Sequence, residues 1–201
     1  MSVLVGRKAP DFTCPAVLGD GKIVDDFKFL EDTKGKYRIV FFYPLDFTFV
    51  CPSELIALDH RMDQFKERNV EVVAVSIDSH FTHNAWRNTP VDKGGIGHVK
   101  FTMAADINHQ IVRDYGVEAP DGSVAFRGVF LIDKDGKVMS QTVNDDPIGR
   151  NIDEIIRTVD ALQFWEENGD VCPAGWQKGD AGMKANPEGV ADYLAKSADK
   201  L

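Results

Sequence analysis

Cysteine is scarce in this chain. Its 201 residues hold three, Cys14, Cys51 and Cys172, too few and too unevenly spaced for a disulfide scaffold. In a reducing compartment, a disulfide between any two would be transient and chemical rather than structural. No Cys-x-x-Cys occurs, which argues against a thiol–disulfide oxidoreductase whose two sulfurs share one turn. Cysteines at zinc-finger spacing are missing too, so His80 and His83 do not read as a metal site. No apolar run is long enough to span a bilayer, and the first residues show no signal-peptide core, so a cytoplasmic protein without membrane segments is expected. Basic charge is in deficit: 23 Lys and Arg face 32 Asp and Glu, a net charge of −9 that argues against a nucleic-acid-binding surface. Internal repeats and low-complexity segments are absent. What remains, 43% hydrophobic and 27% charged, is enough for one globular domain with a sizeable core.

The most informative stretch is 43–55, Tyr-Pro-Leu-Asp-Phe-Thr-Phe-Val-Cys-Pro-Ser-Glu-Leu. Before it, 38–43 is a short run of β-branched and aromatic residues, the pattern of a strand buried on both faces, and Pro44 ends it. After it, Leu55, Leu58, Met62 and Phe65 fall at helical spacing among charged residues, predicting an amphipathic helix over 53–68. Pro52 suits the first helical position and disfavours helical geometry in the residue before it, which makes Cys51 the N-cap. A second register has Thr48 as N-cap and Cys51 in the first turn. Either way the sulfur meets unsatisfied N–H groups and the positive end of the helix dipole, a setting that favours the nucleophilic thiolate.

The rest of the chain alternates strands and helices. A strand at 70–77 completes a βαβ unit, which puts Cys51 beyond a strand's C-terminal end, where open α/β sheets place their sites. A turn at Gly19-Asp20-Gly21 predicts an N-terminal hairpin. A helix over 81–88, a strand over 99–104, a helix over 108–115, a hairpin of 125–132 with 137–143, a long helix from Asn151 to about Trp165, and a short helix from near Pro187 follow. Arg127 lies inside the apolar run 124–132, where an unpaired guanidinium is costly to bury, so an anion should face it. On residue type alone, Thr48 reads as a turn hydroxyl, Glu54 as a helix-start carboxylate, Trp86 as core and Arg150 as a surface charge.

Pro44, Thr48 and Cys51 reproduce the Pro-x-x-x-Thr-x-x-Cys signature of the peroxiredoxins. With 46–52, Arg127-Gly128 and the 170–176 run Asp-Val-Cys-Pro-Ala-Gly-Trp, the chain resembles the typical 2-Cys group, which includes the alkyl hydroperoxide reductase C proteins. The resemblance implies a thioredoxin-like α/β fold: a central mixed sheet flanked by helices, with an N-terminal hairpin, a peroxidase domain over 1–168 and a C-terminal extension over 169–201. It further implies a thiol-dependent peroxidase acting on hydrogen peroxide and alkyl hydroperoxides without cofactor or metal. Cys51 attacks the peroxide, Thr48 bonds the thiolate and the incoming oxygen, Pro44 shields the sulfur, and Arg127 holds the thiolate and polarises the peroxide. Glu54, Arg150 and Trp86 support the site. Cys172 from a second protomer resolves the sulfenic acid as an intersubunit disulfide, which a thioredoxin-like or flavoprotein reductant cleaves. Dimers are expected to assemble into a decamer through 79–86. A holdase chaperone or a peroxide-sensing relay is the alternative reading. Family members that over-oxidise readily carry a Gly-Gly-x-Gly loop and a Tyr-Phe pair in the last helix; here the loop is complete, Gly94-Gly95-Ile96-Gly97, but the pair reads Tyr193-Leu194.

Overall fold

The computed structural model describes residues 3–200. In chain order the elements are β1 (Thr13–Val17), β2 (Ile23–Lys28), α1 (Phe29–Asp32), β3 (Tyr37–Phe42), α2 (Cys51–Asp59), α3 (Met62–Glu67), β4 (Val70–Ser76) and α4 (His80–Asn88). They continue with β5 (Thr102–Ala105), α5 (Gln110–Asp114), β6 (Arg127–Ile132), β7 (Val138–Asn144), α6 (Ile152–Asn168) and α7 (Pro187–Ser197). One seven-stranded sheet runs in the order β2-β1-β5-β4-β3-β6-β7. Its centre is parallel, with Tyr37 opposite Val70 and Val73 opposite Thr102, and its flanks are antiparallel, so the sheet is mixed. All six residues of β3 are buried, as its apolar run requires. Phe42, Tyr115 and Phe130 meet ring to ring with centroids 5.0 to 5.7 Å apart, at the middle of a core shared with Val40, Val73, Val75 and Ile132.

The expected hairpin forms, its turn closed by the Gly21 N–H donating to the Leu18 carbonyl. It joins the sheet through β1, with Ala16 opposite Ala104, and leaves β2 as the edge. Arg87 fastens it there by donating to the carbonyls of Leu18, Gly19 and Val99.

Two expectations about the helix after Cys51 are corrected. The single helix over 53–68 is two, α2 and α3, parted at His60 and Arg61, where Arg61 leaves helical geometry (φ −109°, ψ 6°) although no glycine or proline marks the break. Cys51 is not the N-cap but the first helical residue. Val50 caps α2, in αR geometry, its carbonyl accepting from Ser53 N at 3.0 Å and Glu54 N at 3.3 Å. The residue before a proline is disfavoured in helical geometry, not barred from it, and two bonds to one carbonyl outweigh the bias.

The chain divides into two compact units, 1–152 and 153–201. The division falls one residue into α6, and α6 packs on the tail that follows it: the ring of Phe164 lies 4.9 Å from that of the buried Trp176, and Cys172 Sγ donates to the Ala161 carbonyl. Within this second unit Val171 and Met183 form a short bridge, and Asn186 caps α7 by accepting from Gly189 N.

Candidate active site

The site is assembled where β3 leaves the sheet. Tyr43 makes the last ladder bond, its N–H donating to the Val75 carbonyl, and the buried Pro44 turns the chain away. The following turn is pinned from three sides. Asp46 N donates to Asp78 Oδ2, Tyr43 OH donates to Asp46 Oδ1, and His83 Nδ1 stands 2.7 Å from Asp46 Oδ2. Because His83 Nε2 also faces the Ala104 carbonyl, which can only accept, that nitrogen carries a proton and ties the cluster to β5. Phe47 takes a left-handed φ of 54°, rare for a bulky side chain, and the bonds on either side of it hold the strain. Thr48 donates its hydroxyl to the Leu45 carbonyl at 2.8 Å, so its remaining lone pairs are free to accept. This turn delivers Cys51, whose side chain is fully buried, to the first position of α2.

Two arginines and a carboxylate surround the sulfur. Arg127 opens β6, and its Nη1 lies 3.5 Å from Cys51 Sγ and 2.8 Å from Glu54 Oε2. Asp146 accepts from the other two nitrogens, its carbonyl from Nε at 2.6 Å and Oδ1 from Nη2 at 2.9 Å. Arg150 wraps Glu54: the Arg150 N–H and Nε donate to Oε1 at 2.7 and 2.9 Å, and Nη2 to Oε2 at 2.8 Å. Its Nη1 satisfies the carbonyls of Phe42 and Gly128, and its guanidinium stacks over Phe41, 3.4 Å from the ring centre. Glu54, Arg127 and Arg150 are all almost wholly buried.

The pKa directions follow from this geometry. Burial would raise the Glu54 carboxyl, but the hydrogen bonds and charge of Arg150, then the charge of Arg127, outweigh it and hold the group below its ordinary value. Burial lowers Arg127, yet its bond to Cys51 and the charges of Cys51, Glu54 and Asp146 leave it above its ordinary value. Arg150 is lowered, because burial exceeds the support from Glu54. A guanidinium starts so high that it stays charged, and the Glu54 pair is ionic. The sulfur therefore sits at a helix start with one carboxylate and two fixed cations, an arrangement suited to negative charge on sulfur and on an oxygen leaving it.

Of the residues singled out from sequence, Cys51, Glu54, Arg127 and Arg150 come together. Pro44 and Thr48 line the same turn. Trp86 is reached only indirectly: it is buried, with its ring against Tyr43 and Phe47, centroids 6.1 and 5.8 Å apart. It also donates Nε1 to the Gly94 carbonyl and thereby ties the glycine-rich loop to the turn before Cys51. That loop needs its glycine, because a Cβ on Gly95 would stand 1.9 Å from the Thr89 carbonyl oxygen. Cys14 is buried on β1, where burial pushes its thiol up to about 12 and keeps it protonated. In the second unit Cys172 is half-buried in the loop after α6, its thiol raised by burial against the opposing charge of Arg157. Asp46, His83 and Asp146 were missed as site residues. Asp46 stood inside the signature, and only strand and helix packing could reveal that His83 serves it; Asp145-Asp146-Pro147 reads as a plain turn. Among the described residues, no group of three or more His, Cys, Asp or Glu side chains could hold a metal, and no helix is long and apolar enough to cross a membrane.

Comparison with known proteins agrees with this geometry. Residues 5–141 match the AhpC/TSA family, and residues 161–196 match the C-terminal domain of 1-Cys peroxiredoxin, although here that segment carries Cys172. The chain is 53% identical to alkyl hydroperoxide reductase C of Helicobacter pylori (strain ATCC 700392 / 26695), over 99% of this chain and 100% of that one. It is 47% identical to peroxiredoxin-1 of Gallus gallus, over 96% of each. Among solved structures, the reduced 2-Cys peroxiredoxin of Plasmodium vivax superposes with a TM-score of 0.92 at 51% identity, covering 96% of this chain and 100% of that one. Those neighbours share the thioredoxin-like arrangement of a mixed sheet flanked by helices, and the mixed sheet around Cys51 has its counterpart in enzymes that reduce peroxides with a thiol. The chain belongs to the AhpC/TSA family, the peroxiredoxins.

Proposed function

We propose that Cys51 is the nucleophile of a thiol-dependent peroxidase acting on hydrogen peroxide and alkyl hydroperoxides, with Arg127 as the cation that serves it. The observation that carries the reading is the 3.5 Å approach of Arg127 Nη1 to Cys51 Sγ at the start of α2. The Cys51 thiolate attacks one peroxide oxygen: an S–O bond forms, the O–O bond breaks, sulfur gives up two electrons, and the departing alkoxide or hydroxide takes a proton. Arg127 stabilises charge on sulfur and on the leaving oxygen, while Thr48, its own proton held by Leu45, accepts from the peroxide O–H. Pro44 shields the sulfur from water. Glu54 and Arg150 fix Arg127 in place, and Trp86 supports the turn from beneath through Phe47.

The resulting sulfenic acid meets Cys172 of a second protomer. The Cys172 sulfur displaces water from the Cys51 sulfur to form an intersubunit disulfide, and a thioredoxin-like or flavoprotein dithiol restores both thiols with two electrons and two protons. The start of α2 must unwind first, since a fully buried sulfur on a packed turn cannot reach disulfide distance from a thiol on another protomer without backbone movement. Dimers assemble to a decamer through 79–86, a reading supported by the exposed Phe81 (67%) on α4 and the exposed Phe47 (50%) of the Cys51 turn, whose ring meets Trp86 of the same helix. The cytoplasm is the compartment that suits a cycle driven by reducing thiols.

The test is peroxide consumption by Cys51→Ser with a recycling dithiol present. Turnover should vanish while the far-UV circular dichroism spectrum stays as in the unsubstituted chain, because serine remains protonated and is a poor nucleophile toward the O–O bond. Appreciable thiol-dependent turnover by that variant would sink the reading.

A further inference from the structure

Arg127 turns only one of its three nitrogens toward the sulfur. The other two are held by a single residue, Asp146, whose main-chain oxygen takes Nε and whose carboxylate takes Nη2. The partners of this guanidinium differ in their surroundings: the Glu54 side chain is 3% exposed, that of Asp146 65%. Glu54 also serves three donors of Arg150, so by itself it is a shared anchor on Nη1. A planar fork gripped along its Nε and Nη2 edge has its rotation about the Nε bond fixed, and here the fixed plane aims Nη1 at Cys51 Sγ.

We propose that the Asp146 carboxylate is a positioning and charge-selecting residue of the peroxide reaction: it orients Arg127 toward Cys51, and its water-facing negative charge makes the site favour neutral over anionic hydroperoxides. The proposal rests on the peroxidase reading above and specifies the substrate class for it. The two effects share one origin. Oδ1 lies 2.9 Å from Nη2, and Sγ lies 3.5 Å from Nη1 of the same guanidinium, so the carboxylate is within a Debye length, about 10 Å at 0.1 M salt, of the reacting atom. At that range, in a partly aqueous surrounding, a like charge on the substrate meets a repulsion that slows its reaction on the order of threefold. An uncharged peroxide meets none. The loop lies against the start of α2, since a Cβ on Gly149 would be in ordinary contact with Val50 Cγ1 at 3.4 Å, so Asp146 is carried on a segment packed beside the sulfur's own turn.

The experiment measures single-turnover peroxide consumption by the pre-reduced full-length protein, and by Asp146→Ala and Asp146→Asn. Probes are hydrogen peroxide, a carboxylate-bearing alkyl hydroperoxide and its methyl ester. Asp146→Ala removes the grip on Nη2 and should slow hydrogen peroxide about tenfold, as misaligned electrostatic groups do. Asp146→Asn keeps an acceptor oxygen without the charge, so it should recover most of that loss while raising the acid-to-ester rate ratio about threefold at low salt. The change in ratio should disappear near 1 M salt, where the Debye length shrinks to about 3 Å. Equal hydrogen peroxide rates in Asp146→Ala and the unsubstituted chain would overturn the positioning role. An acid-to-ester ratio unmoved by Asp146→Asn at low salt would overturn the charge selection. Failure of the peroxidase reading itself would show separately, as turnover surviving in Cys51→Ser.

Discussion

Replacing Glu54 by glutamine tests whether the cluster behind Cys51 is an ionic unit. Four N–H groups of two arginines converge on this one buried carboxylate, at 2.7 to 2.9 Å. Glutamine keeps the size and one acceptor oxygen but turns an amide N–H₂ toward a guanidinium and leaves two buried cations without their anion. Among the described residues, Arg127 retains Asp146, whereas Arg150 retains only carbonyls and the Phe41 ring. Removing one partner of a buried pair costs about 3–5 kcal/mol; with Asp146 remaining, the lower end, about 3 kcal/mol, is expected. At the urea slopes of small proteins, about 1–3 kcal/mol/M, this shifts the unfolding midpoint by roughly 1–3 M. Protein concentration must be held fixed, because assembly contributes to apparent stability. The pH dependence supplies the sharper check. A carboxylate held below its ordinary value stabilises the folded state fully above the unfolded pKa, about 4.3 for glutamate, and that stabilisation is lost as pH falls through the lower folded value. The unsubstituted chain should therefore lose its advantage over Glu54→Gln between about pH 4 and the bottom of the acid range. Midpoints that coincide at pH 7, or a gap that persists unchanged into strong acid, would refute the ionic account.

Three further outcomes are expected. Arg127→Ala should lower the second-order rate constant with peroxide by a factor of about 10² or more, since it deletes the fixed cation beside Sγ, and stopped-flow measurement at an unchanged rate would remove Arg127 from the mechanism. Cys172→Ser should abolish a disulfide-linked dimer on non-reducing gels after peroxide treatment and leave a sulfenic acid that a dimedone probe labels; a surviving dimer band would mean that another thiol resolves. Leu194 on α7 is 43% exposed, and phenylalanine in its place adds ring contacts worth about 1 kcal/mol, so Leu194→Phe should raise the sulfinic fraction of Cys51 about fivefold under excess peroxide. Mass spectrometry counts that fraction, and equal values in both proteins would show that the last helix does not govern the lifetime of the sulfenic acid.

Much of the site could be read in the chain alone because its causes are local. A run of β-branched and aromatic residues ended by Pro44 is a buried strand wherever it occurs, and a cysteine followed by proline and a helical apolar pattern stands at a helix start whichever residue caps it. Likewise, an arginine within an apolar strand demands an anion before any anion is identified. The identity of that anion was out of reach, since Glu54 and Asp146 come to Arg127 from 73 and 19 positions away, and Glu54 to Arg150 from 96. Those meetings depend on register: pairing Arg127 with Asn144 and Gly128 with Val143 carries the 145–149 turn back over α2, and a slip of one residue would face Arg127 to the other side of the sheet. The same holds for Thr48, whose hydroxyl is taken by Leu45 through the path of the turn, and for His83, which with His80 reads only as a rejected metal pair until α4 and β5 pack it between Asp46 and Ala104. Periodicity and residue type thus determined the strands, the helix start and the demand for charge around Cys51, while the partners that meet the demand were decided by tertiary packing, because a side chain's neighbours across a sheet are set by strand pairing and loop path that no local pattern encodes.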